Sequence, residues 1–395
     1  MPGLRDTLAN LAHARQRLDK ILHAATAAPT ERPTGGNISR LVQTAAFGDN
    51  PGNLRMLAYV PPDLPTGAPL VVALHGCTQT PAAYDQGSGW SKLAEQQKFA
   101  VLLPEQQPAN NPNRCFNWFS PADTSRGQGE ASSIHAMIER MIADHGIDRN
   151  RVFVVGLSAG GAMASAMLAA YPEVFAGGAV IAGLPHGSAD SVHGALEAMS
   201  QPSDRSAAVW GELVRRASPH HRGRWPKVTV WHGSADMIVN PGNGRSIAKQ
   251  WVDVHGLPED AETEQVGHHA RRFWRDAVGA VVVEEYSIAG MGHGVPLAQV
   301  GGIGRAGAFH LEVGLSSTLE IAKFWGLASA RTEAAQHQAK PRQNETSQPA
   351  DKAFDVRDLI TETLRKAGVL APAGKAANAH SIIETTLRSV GLLKK

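Results

Sequence analysis

The segment GLSAGG (156–161) sets Ser158 between two glycines in the spacing Gly-x-Ser-x-Gly. A serine hydroxyl is a weak nucleophile at neutral pH and needs a base to take its proton as it attacks. A histidine does this when a carboxylate fixes its tautomer, and the chemistry that follows is acyl transfer through a covalent ester. With 40 glycines in 395 residues the motif alone is a weak signal, and its surroundings must support it. They do: RVFVV reads as a strand running into the motif, and AMASAMLAAYP reads as a helix leaving it. That strand–turn–helix arrangement thrusts a nucleophile clear of a sheet and aims helix N-terminal amides at a developing oxyanion.

The partners of such a serine follow in the order acid, then histidine, each in a loop after a later strand. KVTVWHGSADMIVNP supplies a strand and then Asp236, and VVVEEYSIAGMGHGVP supplies another strand and then His293. Asp253 and Glu285 remain alternative acids, but neither sits just past a strand in the same way. His186 and His232 compete for the role of base; His232 precedes the acid and His293 ranks ahead of both. An oxyanion hole needs two preorganised amides. Ala159, the residue after the serine, offers one, and LHGCTQ (74–79) after the strand PLVVA offers the other, at Cys77. His75 reads as a scaffold residue of that loop rather than a second base.

The elements that must position these residues alternate between about 54 and 327. Strands are expected in LRMLAYV, PLVVALHG, FAVLLPE, RVFVVG, GGAVIAG, KVTVWHG and VVVEEYSI. Helices are expected in DQGSGWSKLAEQQ, GEASSIHAMIERMIADHG, SAGGAMASAMLAAYP, GNGRSIAKQWVDVHG and SSTLEIAKFWG. Near-continuous apolar strands interleaved with helices indicate an α/β fold, a mainly parallel sheet covered on both faces.

Around this body (50–328) the chain carries extensions. Residues 1–35 hold an amphipathic helix and a Pro/Gly-rich connection, 329–352 read as a flexible linker, and 353–395 contain DLITETLRKAGVL and SIIETTLRSVGLL, two near-copies each ending in a helix-capping pattern. Short helices of this kind are expected to dock, on the body, on another subunit or on an apolar surface.

Composition excludes several roles. Lys plus Arg number 38 against 36 Asp plus Glu, so nucleic acid is not an expected partner. No stretch is apolar enough to span a membrane. Charges at Arg5, Asp6, Arg15, Arg17, Asp19 and Lys20 break every candidate secretory core near the start, which points to the cytoplasm, with an extracellular location as the alternative. Adjacent histidines at 220–221 and 268–269 diverge rather than converge, so no metal or cofactor is expected. GIGRAG (302–307) lacks the following βαβ context of a dinucleotide site and reads as a loop near His293.

The segments LVVALHGCTQ, NRCFNWFSP, GEASSI, IDRNRVFVVGLSAGGAM, YPEVFAGGAVIAGLPHG, WHGSADMIVNP, GMGHGVP and VGLSSTLEIAKFWGL together resemble the poly(3-hydroxybutyrate) depolymerase family of esterases, a branch of the α/β-hydrolases. The resemblance spans about residues 50–327. It implies that Ser158, Asp236 and His293 are the triad and that Cys77 is the oxyanion-loop residue. It implies hydrolysis of polyesters or short oligomers of 3-hydroxy acids; feruloyl or acetyl esters of plant polysaccharides are the nearest alternative. A non-catalytic polyester-granule binding module with a vestigial hydrolase fold is the alternative from another class, with the terminal repeats holding granules or joining subunits. Arg114, Phe116, Trp118 and Phe119 are expected to line or support the substrate cleft, Trp118 foremost. The resemblance favours a Cys77–Cys115 disulfide, whereas a cytosolic location argues against it, and both states stay open here.

Overall fold

The computed structural model describes residues 40–299 and 302–328. The expectations for 1–35, 329–352 and 353–395 lie outside the described residues. Ten strands form one sheet: β1 (Val42–Thr44), β2 (Arg55–Tyr59), β3 (Leu70–Leu74), β4 (Ala100–Glu105), β5 (Val152–Leu157), β6 (Gly177–Ile181), β7 (Lys227–Gly233), β8 (Glu262–Val266), β9 (His269–Arg275) and β10 (Val281–Ile288). Their spatial order is β1-β2-β4-β3-β5-β6-β7-β10-β9-β8. Pairing is parallel from β4 through β10 and antiparallel at both flanks.

The central strands are buried along their whole length, and alternate side chains serve opposite faces. Leu70, Val72, Leu74, Val152 and Val154 join one core, which is completed by α4 (Gly129–His145), α5 (Ala159–Ala170) and α8 (Gly242–Val254) through Ile134, Met163 and Trp251. Val71, Ala73, Phe153 and Val155 join the other, completed by α1 (Pro81–Ser88), α2 (Trp90–Gln97) and α9 (Ser317–Trp325) through Tyr84, Leu93 and Trp325. Crossover helices on both faces are what parallel neighbours require. The remaining helices are a short α3 (Pro121–Thr124) and the pair α6 (Val192–Ser200) and α7 (Ala207–Ala217), inserted between β6 and β7. Two further strands, β11 (Val295–Leu297) and β12 (His310–Glu312), make a small parallel sheet just after His293.

Every expected strand is present within a residue or two of its expected ends. The helix expected over 85–97 is instead two helices, α1 beginning at Pro81 and breaking from α2 at Gly89, whose φ is 77°. The hairpin β8–β9 was not among the expected strands. It sits outside the parallel run, with β8 almost wholly exposed, so it lacks the continuous apolar stretch that marks its neighbours.

Candidate active site

Ser158 stands between β5 and α5 with φ 57° and ψ −119°, a conformation rare for a residue with a side chain. Such backbone costs on the order of 1–3 kcal/mol and persists only where the surroundings enforce it. Here the Ser158 amide donates to the Ile181 carbonyl at 2.9 Å, and the Ser158 carbonyl accepts from Ala162 at 2.9 Å. Gly160 completes the turn: a Cβ there would lie 2.4 Å from the Leu74 carbonyl oxygen and 2.5 Å from that of His75. Any side chain would therefore push α5 away from the end of β3, which is where the LHGCTQ loop begins.

That loop is clamped at Gly76. Its amide donates to Gln79 Oε1 at 2.9 Å, and its carbonyl lies 2.8 Å from His75 Nδ1. His75 Nε2 accepts from the Gln106 amide at 3.1 Å, so Nδ1 carries the proton and donates to Gly76. Burial pushes the His75 imidazole down to about 4, which suits a neutral brace and not a base. The Thr78 amide donates to Asn113 at 2.7 Å, and Cys77 is disulfide-bonded to Cys115. Among the described residues neither the Cys77 nor the Ala159 amide donates a hydrogen bond, and both residues line one pocket with Ser158 and His293.

Asp236 and His293 arrive from the loops after β7 and β10. Those loops are laced together: the Ser234 amide donates to Ile288 at 2.9 Å, the Ala235 amide to Met291 at 3.0 Å, and the Gly290 amide to Ser234 Oγ at 2.9 Å. Gly233 allows this closeness, since a Cβ would fall 2.3 Å from the Met291 carbonyl oxygen. His293 Nδ1 lies 2.8 Å from Asp236 Oδ2. A carboxylate oxygen accepts, so Nδ1 carries the proton and Nε2 is left with a lone pair. The other oxygen of Asp236, Oδ1, accepts from the amides of Ile238 at 2.8 Å and Val239 at 2.9 Å. Burial works to raise the Asp236 carboxyl, but the donors His232 and His293 outweigh it and hold the group well below the ordinary carboxylate range.

Three of the four competing residues are engaged elsewhere. Asp253 is ion-paired with Arg215 at 2.5 Å and Glu285 with Arg272 at 3.1 Å. His186 faces a separate cleft. His232, which sequence order ranks behind His293, is in contact with the acid: its Nε2 is 3.2 Å from Asp236 Oδ2.

The pocket over Ser158 has a volume of about 190 Å³, and apolar side chains including Leu184, Leu196, Met199 and Ile238 dominate its wall. Trp118 and Phe119 line it as well, ring to ring at 5.7 Å. Phe116 is fully buried beneath and packs against the His75 ring at 5.1 Å, so it supports the loop without reaching the cleft. Arg114 is not among the lining residues. Beyond α6 lies a second, polar cleft of about 820 Å³ with Arg126, Arg205, Asp190 and Glu197 on its walls, and Trp118 borders both.

Sequence reasoning missed the supports of the 106–119 loop. Glu130, at the start of α4, accepts from Gln106 Nε2 at 2.5 Å, Asn117 Nδ2 at 2.8 Å and the Asn117 amide at 2.9 Å. Burial pushes its carboxyl up to about 8 despite those donors. The segment GEASSI, which contains Glu130, already stood out; a carboxylate in the first turn of a helix reads by default as a dipole partner and not as a buried tie.

The strained Ser158 turn, His293 with its Asp236 partner and the two unengaged amides thus meet at one pocket. The family described as "Esterase PHB depolymerase" matches residues 54–275, more than half of the chain. The chain belongs to this esterase family. It is therefore a carboxylic ester hydrolase with the α/β-hydrolase fold. Within the family's wider kin, it is 46% identical over 298 residues to poly(3-hydroxyalkanoate) depolymerase C of Paucimonas lemoignei, covering 74% of this chain and 72% of that one. It is 33% identical over 267 residues to feruloyl esterase B of Neurospora crassa, covering 66% of this chain and 90% of that one. Among solved structures, an acetyl xylan esterase from Aspergillus awamori matches with a TM-score of 0.62 at 28% identity, covering 73% of this chain and 99% of that one. No helix among the described residues of this esterase is long and apolar enough to cross a membrane.

Proposed function

We propose that this esterase hydrolyses polymers or oligomers of short 3-hydroxy acids, with Ser158 as nucleophile, His293 as general base and then acid, and Asp236 as the group that orients it. The observation that carries the reading is the small apolar pocket over the strained Ser158 turn, walled by Leu184, Leu196, Met199 and Ile238. Pockets for drug-sized ligands run to roughly 300–1,000 Å³. At about 190 Å³ this one suits a short aliphatic acyl unit. Ser158 Oγ attacks the ester carbonyl as His293 Nε2 takes its proton. The carbonyl oxygen, now an oxyanion, accepts from the Cys77 and Ala159 amides. Collapse breaks the C–O bond, and His293 returns the proton to the departing hydroxyl of the next unit. Water then enters by the same route and frees the acid. Each oxyanion donor of this kind is worth about 2.7–4 kcal/mol in the transition state.

Trp118 borders both clefts, so a chain extended from Ser158 past it would meet the arginine and hydroxyl groups of the second with the ester carbonyls of its further units. Acetyl esters of plant polysaccharide are the second reading, favoured by the likeness to the acetyl xylan esterase structure. The Cys77–Cys115 disulfide supports action in an oxidising compartment over the cytoplasm, because such bonds persist where thiol reductants are absent. Any docking of granules or subunits by the terminal repeats concerns segments outside the described residues.

The test compares wild type and Ser158→Ala on p-nitrophenyl butyrate, 3-hydroxybutyrate oligomers, amorphous polyester granules, acetylated xylan and methyl ferulate. Release of 3-hydroxybutyrate that vanishes in the variant is the expected result. Turnover of acetylated xylan or ferulate alone would move the substrate to plant-wall esters. Turnover of no ester by wild type would leave the granule-binding alternative standing.

A further inference from the structure

We infer that His232 is a positioning residue of the reaction, a second histidine that holds the shared acid Asp236 in register with His293. The inference rests on Asp236 acting as the acid behind Ser158 and His293.

His232 is the penultimate residue of β7, four positions before Asp236, and is 4% exposed. Its Nε2 faces two atoms, the Val239 carbonyl oxygen at 2.9 Å and Asp236 Oδ2 at 3.2 Å. Both atoms only accept, which fixes the tautomer: Nε2 carries the hydrogen and shares it between them. The opposite nitrogen, Nδ1, is buried and has no hydrogen-bond partner. A histidine placed only to fill the core would be expected to satisfy both nitrogens or to be replaced by an apolar side chain. This one gives up a bond on one side while its other nitrogen serves the acid and the loop that carries it.

The geometry gives Asp236 Oδ2 two imidazole donors, His293 and His232, while Oδ1 is tied to two backbone amides. His232 also grips Val239, whose amide is one of those ties. Acid and loop are thus fastened by the same ring. The ring has little freedom to turn away, because Gly244 of α8 presses on it; a Cβ there would stand 3.2 Å from His232 Nδ1. The charged groups facing it are Asp236 on its own loop and Glu285 on the neighbouring β10, the latter paired with Arg272 and near Arg245.

Removing the His232 donor should let the carboxylate turn off the His293 Nδ1–H axis and concentrate negative charge on Oδ2. Proton transfer is then less well aligned, and the pH dependence of the rate shifts with it.

The experiment measures kcat, KM, the pH–rate profile and the melting temperature for His232→Phe, His232→Asn and His232→Gln with p-nitrophenyl butyrate. Loss of a charge-assisted donor to the acid should cost His232→Phe about 10- to 100-fold in kcat with KM nearly unchanged. The acidic limb of its pH–rate profile should move upward. Glutamine presents a donor near the Nε2 position and should recover most of the rate and the wild-type limb. Asparagine, of similar chemistry but shorter reach, should behave like phenylalanine. Equal losses in the Gln and Asn variants, or losses confined to melting temperature with an unmoved limb, would overturn the inference. If wild-type turnover survives Ser158→Ala, the parent reading fails; if it vanishes there and the three His232 variants match wild type, only this inference fails.

Discussion

Replacing Cys115 by alanine should separate the stability of the oxyanion loop from its catalytic geometry. The disulfide joins Cys77 to Cys115 across a sequence separation of 38 residues. Closing a loop of that size in the unfolded chain removes about 13 cal/mol/K, or about 4 kcal/mol at room temperature. Unfolding entropy of about 2.1 cal/mol/K per residue gives about 0.6 kcal/mol/K for a body of this size, so Tm should fall by about 7 °C. The rate should change far less. The backbone that presents the Cys77 amide is held independently, by the two bonds at Gly76 and by the Thr78 amide on Asn113 at 2.7 Å. Misplacing an oxyanion donor would instead cost 100-fold or more, on the order of 3 kcal/mol. Calorimetry paired with kcat/KM on p-nitrophenyl butyrate at 25 °C reads both quantities on one preparation. A Tm within 2 °C of wild type would refute the loop-closure argument. A rate loss of about 100-fold at 25 °C would refute the claim that the hydrogen bonds, and not the sulfur bridge, place the amide.

Two other outcomes follow from the clefts and their supports. Burial pushes the Glu130 carboxyl up to about 8 from an ordinary 4.5, so the fold favours its protonated form; the stability this gives is fully present below pH 4.5 and is lost as pH rises through 8. In denaturant titrations at pH 5, 7 and 9, Glu130→Gln should remove on the order of 4 kcal/mol of that decline, and curves parallel to wild type would contradict the assignment. Arg205, stacked at 4.7 Å on Trp210 and bordering the second cleft, should matter only to long substrates. Arg205→Ala should leave p-nitrophenyl butyrate turnover intact and reduce kcat/KM for extended oligomers about 10-fold, and an unaltered preference for chain length would remove the second cleft from the substrate path.

The strand–turn–helix around Ser158 was legible because its parts are contiguous: strand Val152–Leu157, the turn at Ser158 and helix Ala159–Ala170 follow one another without interruption. The placement of Asp236 and His293 was legible for a related reason, each lying a few residues past a buried strand of the same sheet. His232 was not, because its importance is a distance across a loop, and within β7 it looks like any inward-facing strand residue. Glu130 and Gln106 meet across 24 positions, a pairing that one sequence does not display. The break at Gly89 has a similar origin. A Cβ there would lie 1.9 Å from the Ile303 carbonyl oxygen, so a distant loop decides where α1 stops. The β8–β9 hairpin carried a usable signal in Gly267–His268, a two-residue connection with Gly267 at φ 61°. Its mixed polar text, ETEQVGHHARRFWR, belongs to a half-exposed antiparallel flank and hides beside strands that read as continuous apolar runs.

The close backbone approaches at Gly160 and Gly233 divide the site into two blocks. One welds the end of β3 to the start of α5 and carries Ser158 together with the Cys77 and Ala159 amides. The other welds the end of β7 to the loop after β10 and carries Asp236 with His293. Between them stands β6 and its continuation, where the Ala182 amide donates to Trp231 at 2.8 Å. A loosening of that seam would therefore change one separation, between Ser158 and His293, and leave the ties within each block in place.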